Sequence, residues 1–574
     1  MNSKQKLQGT EKLMGSMLLK GAVVLGLATI VSKLIGTMQK IPLQNMAGDA
    51  VFGIYNAVYP LYILILFLAT AGFPLVVSKF VSEQVAMQQY EEARRVLRVA
   101  SYVLIASGFV CFLLLFFGAD WLAELMDAKQ TSMAIRSVSF ALLLVPVMSA
   151  LRGYYQGYQN MIPTAVSQVI EQTVRVATMF GLLLLFMHWG YGADWIAAGA
   201  TFGSVTGAAA GLIVMLVYHQ KDKRNQGQQE KGNAGRSMTR EAELTHQWDE
   251  PHRLQRRQSR ESDWVLVRRL LLYALPICLG TISLPILTLV DSFTLPRLLK
   301  LYGLDETGAL YQFGLYNHGM PLVQLVAMIA SSMSAALVPS IAAAKLLSDP
   351  EILRNRTSVA LRLTWVIGLA AAVGLSLLAE PLNVMFYKST DGSFAMSLLS
   401  FTALFSTLNI IAGSVLQGFG AVVAPALYLL AAAAAKIAAN AALVPHWGID
   451  GAALAAVGAY ALAGLLALAH ALRATGVTPA VGRAVIKPLL CVGLMAASLL
   501  AVTHGLPALL GVLPVALPPR GLATTVALAG VAVGALVYIL ALVRLGVVSA
   551  AELEQIPKLR GKPLALLRKV GLLR

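Results

Sequence analysis

The phrase FGIYNAVYPL at residues 52–61 returns as FGLYNHGMPL at 313–322, an offset of 261 residues. The same register links Gln156-Gly157 with Gln417-Gly418, and Arg175 with Lys436. A second phrase, HWGYGADWIAAGA from His188, recurs as HWGIDGAALAAVGA from His446, with the offset slipped to 258. An offset held over such a distance means a duplicated unit. Solenoid repeats have far shorter periods. In an apolar chain, a period this long points to a transporter assembled from two homologous halves.

The chain is apolar enough for that. Of its 574 residues, 57% are hydrophobic and 13% charged, with a mean hydropathy of +0.70. Soluble domains carry roughly 25% charged residues. A membrane-crossing helix needs about 20 apolar residues. Fourteen segments qualify: 17–40, 51–78, 96–118, 133–158, 162–187, 193–218, 265–296, 313–343, 358–386, 394–419, 422–445, 449–472, 483–504 and 521–545. The expected fold class is therefore all-α, polytopic, with two six-helix lobes in a parallel pseudo-twofold repeat and two extra C-terminal helices. The first apolar run is too long for a secretory leader and lacks a small-residue cleavage site, so no cleaved signal is expected. Cys111, Cys278 and Cys491 each lie within apolar runs and read as packing residues.

Charge sets the expected orientation. With alternating spans and a cytoplasmic N-terminus, most of the 45 Lys and Arg fall on the inner side. The outer loops hold Lys40, Lys129, Arg136, Arg297, Lys300, Lys388 and Arg520. This is the positive-inside asymmetry, so both termini are expected in the cytoplasm. The net charge of +17 reflects topology, and no Arg stripe with interleaved aromatics suggests nucleic acid. The chain then divides into an N-terminal lobe (1–218), a polar cytoplasmic linker (219–264), a C-terminal lobe (265–475), helices 13 and 14 (476–545) and a basic tail (546–574). Six spans per lobe is an even number, so the halves enter the membrane in the same direction.

No nucleophile elbow, metalloprotease motif or phosphate loop is present, and the histidines are scattered. No enzyme activity, metal or cofactor is expected, with room left for a coupling cation. The informative residues are charges within spans, each costing about 2.5–3.5 kcal/mol on insertion scales. These are Lys33, Glu171, Arg175, Asp291 and Lys436. Lys33, Arg175 and Lys436 lie 16, 13 and 14 residues into their spans and so at similar depth. Cations at middle depth suit an anion such as a diphosphate, which Arg engages in a fork and Lys as a point charge. Structural readings stand beside this one. Glu171 and Arg175, at i and i+4, form a possible pair. Lys33 can snorkel outward, and Lys436 lies among small residues suited to close packing. Asp291 either balances the cationic charge or binds a coupling cation.

The repeated motif places Pro60 and Pro321 near the starts of spans 2 and 8, beside Tyr55, Asn56, Tyr316 and Asn317. Proline frees a carbonyl and bends a helix, so Asn56, Pro60, Asn317 and Pro321 read as a gate or hinge. Interfacial helix starts are the plainer alternative. Gly203, Gly207 and Gly211 form a GxxxGxxxG packing face.

Several phrases resemble a known group. They are ATIVSKLIGTMQKIPLQNMAGDAVFGIYNAVYPLY, TAGFPLVVSKFVSE, RGYYQGYQNMIPTAVSQVIEQTVRV, and QGFG with Lys436 downstream. Together they are similar to the stage V sporulation protein B group of the multidrug/oligosaccharidyl-lipid/polysaccharide exporter superfamily, which includes Gram-positive lipid II flippases. The likeness spans nearly the whole chain and weakens after about residue 475. It implies fourteen helices, alternating access, a cationic central cavity, and export of an undecaprenyl-diphosphate-linked sugar. It also implies a lipid-tail groove at the last two helices and a substrate-binding basic residue on the first helix, here Lys33. Lys33 is Lys where relatives carry Arg. The expected partners are thus a lipid-linked sugar and membrane lipids, with the protein a monomer. A drug or cation antiporter on the same fold is the alternative and would favour a carboxylate-rich site. A membrane glycan-joining enzyme ranks third, because every outer loop is short.

Overall fold

The computed structural model describes residues 23–70, 72–237, 262–282, 285–346, 349–478, 482–511 and 518–547. Among these residues the protein is all-helical. Eleven helical stretches are long and apolar enough to cross a membrane. The stretch Ala424–Thr475 has 52 residues and bends at Gly448, whose φ of 54° and ψ of −135° leave the helical region. At about 1.5 Å per residue it is far too long for one crossing. Spans 11 and 12 thus join through a glycine that tolerates a positive φ. The protein is a multi-pass membrane protein.

The chain forms two compact units that do not follow the sequence boundary at the polar linker. Unit 1 comprises residues 1–39, 61–124 and 129–282, and unit 2 comprises 40–60, 125–128 and 283–574. Two corrections follow for the expected lobes. The helix Asp263–Ile282, expected in the C-terminal lobe, packs within unit 1. There Arg95 is paired with Asp263 at 2.5 Å, and Lys79 lies over the Tyr273 ring at 3.9 Å. Conversely, residues 40–60 of the first repeat pack within unit 2, and the division falls inside the helix Lys40–Thr70, between Pro60 and Leu61. The linker boundary also moves. The helix from Ala193 continues to Ser237, well past 218. Its Gln, Lys and Glu residues propagate a helix that is already nucleated at low cost. The remainder of the linker (238–261) and the tail beyond 547 lie outside the described residues.

Within unit 2 the duplicated motif has a specific job. A Cβ added at Gly53 would overlap the carbonyl oxygen of Leu310, and one at Gly314 would overlap that of Asp49. These contacts are exchanged by the repeat, since 53 and 314, and 49 and 310, are all one offset apart. Two symmetry-related glycines therefore let the helices around Gly53 and Gly314 cross backbone to backbone. The motif asparagines are equivalent too. Asn56 Nδ2 donates to the Phe52 carbonyl and Asn317 Nδ2 to that of Phe313, each at 2.8 Å. Just upstream, Gly48 interrupts its helix with φ 81° and ψ 174°, which only glycine adopts without strain. Pro321 follows a short 3₁₀ turn, Asn317–Gly319, at the start of Met320–Leu346.

The last two helices, Lys487–Gly511 and Pro519–Arg544, belong to unit 2. Cys491, Met495 and Leu499 join Leu369, Leu378 and Leu382 in one apolar core, and Tyr538 Oη donates to the Val366 carbonyl at 2.7 Å. Cys491 is thus a packing residue.

Gly53→Ala and Gly314→Ala should each destabilise the protein by about 1–3 kcal/mol through overpacking. Gly26→Ala, which meets nothing within 4 Å, should not. Thermal unfolding of the detergent-solubilised protein reads the difference.

Candidate functional site

In unit 1 the site is built on the helix Ile162–His188. The segment 23–39, helical through residue 38, lies against it through Thr29, Ser32, Gly36 and Gln39, spaced so that one face meets the neighbour. Thr29 Oγ1 and Ser32 Oγ donate to the Gln168 side chain and carbonyl, each at 3.3 Å. Gln172 Nε2 donates to Gln39 Oε1 at 3.5 Å. Lys33, next to Ser32, falls off this face and is exposed. The glycine face predicted at 203, 207 and 211 lies on the helix Ala193–Ser237, which packs against Ile162–His188. A Cβ at Gly203 or Gly207 would meet the Arg175 or Glu171 carbonyl, and one at Gly211 would meet Met148 Sδ. This close approach fixes the charged residues in place.

Glu171 and Arg175 do pair, with Arg175 Nη2 3.0 Å from Glu171 Oε1. The other carboxylate oxygen is taken by Arg152 Nη2 at 2.8 Å. Arg152 Nη2 also donates to Ser167 Oγ at 2.8 Å, and Ser167 donates onward to the Gly211 carbonyl. One carboxylate thus serves two guanidiniums. Its side chains stay 13–17% exposed. The expectation that Glu171 and Arg175 form a pair holds geometrically. Sequence reading missed Arg152, which sits near the end of Ala141–Gly157 and looks like an inner-loop cation. The only hint was its place in the RGYYQGYQ phrase.

Unit 2 corrects the reading of Lys436. It was read as a mid-depth cation suited to an anionic substrate, with close packing as the alternative, and it is wholly buried. Its Nζ donates to Asp291 Oδ2 at 2.6 Å and to the Leu287 carbonyl at 3.0 Å. Tyr316 Oη donates to the same carboxylate at 2.9 Å, and Asn440 Nδ2 donates to Thr294 Oγ1 at 2.8 Å. Asp291 therefore balances a charge, and the pair cross-links Ile286–Leu301 to Ala424–Thr475. The reason is steric. The alanine run around Lys436 lets the helices close over it, and a lysine enclosed in that way must be paired. Asn56 and Asn317 are likewise buried and bonded to their own helices.

The comparisons with known proteins agree with this architecture. Residues 18–345 match the family described as polysaccharide biosynthesis protein. The chain is 32% identical over 541 residues to the uncharacterized membrane protein YabM of Bacillus subtilis (strain 168), covering 94% of each chain. It is 29% identical over 457 residues to the lipid II flippase MurJ of the same organism, covering 77% of this chain and 80% of that one. A solved structure of lipid II flippase MurJ in an inward closed conformation superposes with a TM-score of 0.59 at 14% identity, covering 90% of this chain and 98% of that chain, a likeness of fold.

Lys436→Met should cost about 3–5 kcal/mol, because it strands Asp291 as an unpaired buried carboxylate. The double variant Lys436→Met with Asp291→Asn should recover most of that loss, as read by thermal unfolding in detergent. The family match over more than half of the chain, with a relative similar over nearly the full length, places the chain in the polysaccharide biosynthesis protein family.

Proposed function

We propose that this protein is a flippase that moves an undecaprenyl-diphosphate-linked cell-envelope sugar across the cytoplasmic membrane by alternating access. The observation that carries the reading is the set of basic side chains on the membrane helices of unit 1. Arg152 and Arg175 share the single carboxylate of Glu171, and Lys33 stands exposed on the neighbouring helix. A diphosphate is the natural partner of such a set. Guanidinium groups engage phosphate oxygens in a fork, and an exposed ammonium adds a point charge. The prenyl chain stays in the lipid, so only the headgroup needs a polar path. Relatives in the family include a protein described as a lipid II flippase, which supports this class of cargo.

Transport in this reading makes and breaks no covalent bond. The membrane potential or an ion gradient drives it, and a charge carried across is worth about 2.3 kcal/mol per 100 mV. A cation antiporter needs a carboxylate available to its substrate. Glu171 and Asp291 are both already engaged by basic side chains, which weighs against that alternative.

Arg175→Gln and Lys33→Gln should each abolish rescue of a flippase-depleted strain while the protein still inserts. Glu171 remains paired to Arg152 when Arg175 is neutralised, so the fold is expected to survive. Normal growth of both variants would overturn the assignment of these cations to the cargo. Purified protein in vesicles, given lipid II or a competing lipid-linked glycan, should bring one of the two to the outer leaflet faster.

A further inference from the structure

The strongest unexplained feature lies in unit 2, where the first repeat meets the second. Asp49, just after the break at Gly48, is 2.6 Å from His318 Nε2. His318 is fully buried and Asp49 is 8% exposed. Neither residue has an equivalent in the other repeat, since position 310 is Leu and position 57 is Ala. The pair is therefore a departure from the duplicated plan.

The surrounding hydrogen bonds fix where the protons are. His318 Nδ1 is 2.8 Å from Asn383 Oδ1. The Asn383 amide nitrogen donates to the Asp391 carbonyl at 2.8 Å and to Ser393 Oγ at 3.0 Å. A carbonyl can only accept, so the amide nitrogen must face it and Oδ1 must face the histidine. Nδ1 therefore carries a hydrogen. A contact of 2.6 Å between Nε2 and Asp49 then requires one more proton between them. It sits on Nε2 in an imidazolium–carboxylate pair, or on Asp49 beside a neutral ring. Both descriptions hold one proton more than a neutral histidine and a free carboxylate.

That proton is placed where it controls an attachment. The segment Lys40–Pro60 belongs to the first repeat but is held in unit 2. Its ties are Asp49 to His318, Asn45 Nδ2 to the Phe386 carbonyl at 2.5 Å, and the glycine crossing. The titratable groups facing the pair are few. Tyr387 stacks on the His318 ring with centroids 3.9 Å apart and donates its hydroxyl to the His318 carbonyl. Tyr311 feels both Asp49 and Asp391, and its hydroxyl is 3.3 Å from Asp391. Neither tyrosine changes charge between about pH 5 and pH 8, and a histidine–carboxylate pair can. A second tie, Lys300 to Asp127 at 2.8 Å, holds residues 125–128.

We infer that Asp49 and His318 form a proton-binding site, and that the bound proton latches the Lys40–Pro60 segment onto the second repeat. Separation releases that proton to solution and leaves a carboxylate and a neutral imidazole. By linkage, the closed-to-open ratio falls by up to about tenfold for each unit of rising pH while the pair titrates. The inference rests on the alternating-access reading but not on the identity of the cargo, because its test reads the segment directly.

Spin labels on Ala47→Cys and Phe394→Cys, in full-length protein with Cys111, Cys278 and Cys491 changed to Ala, report the distance across this attachment in lipid nanodiscs. The unaltered pair should give a single short distance at about pH 5 and a growing long-distance population toward about pH 8. Asp49→Asn offers Nε2 an amide N–H that cannot be lost, so it should stay closed at both pH values. His318→Ala removes the donor and should be open at both. A distance that ignores pH in the unaltered pair, or an Asp49→Asn variant that still responds to pH, would overturn the latch. If His318→Ala does not fold, the Asp49→Asn comparison decides alone. Loss of flippase activity without loss of the pH-dependent distance would count against the cargo reading and leave the latch standing.

Discussion

A carboxylate enclosed among membrane helices must find a positive partner, and in this protein that requirement decides which helices are bound together. Asp291 meets Lys436 across two helices, and Glu171 gathers Arg152 and Arg175. Asp49 meets His318 across the repeat. Each pair is costly to break, because removing one member leaves a charge with no water to solvate it. The pairs differ in arrangement. The Asp291–Lys436 pair closes its own account and works as a cross-link. The Glu171 cluster sets two guanidiniums on one carboxylate. The Asp49–His318 pair joins residues of the two repeats through a contact of 2.6 Å.

The duplication supplies the frame within which these charges act. Gly53 and Gly314 perform the same backbone crossing, and Asn56 and Asn317 make the same hydrogen bond one turn back. Arg175 and Lys436 also occupy equivalent positions, yet their fates diverge. Arg175 shares a carboxylate on its own helix, whereas Lys436 takes one from the helix Ile286–Leu301. The flanking residues explain this. Arg175 packs against glycines that press on the helix backbone and leave its side chain partly exposed, while Lys436 lies in an alanine run that seals it in. Related positions thus became a charged surface in one repeat and a cross-link in the other.

Much of the fold was legible because it rests on local quantities. Apolar run length gave the membrane helices, and the offset gave the two halves. GxxxGxxxG at 203–211 gave a packing face, and the structure uses it to seat Glu171 and Arg175. The sites were less legible. Arg152 looked like an ordinary inner cation, since its partner lies 19 residues away on another helix. Asp49 and His318 are 269 residues apart, and no spacing rule joins them. Lys436 was picked out correctly as a special charge, but its burial depends on how closely two helices approach, which composition suggests without fixing.

The sequence by itself determined that this chain lives in a membrane, that it is built twice over, and that a few charges fall within its apolar segments. Those properties follow from the hydropathy of continuous segments and from a repeat that any reader of the string can align. Only the tertiary structure decided which charge meets which, where the compact units divide, and that residues 40–60 of the first repeat are fastened to the second. Those outcomes turn on contacts of a few ångströms between residues far apart in the chain, and electrostatic energy in a medium without water changes steeply over that distance.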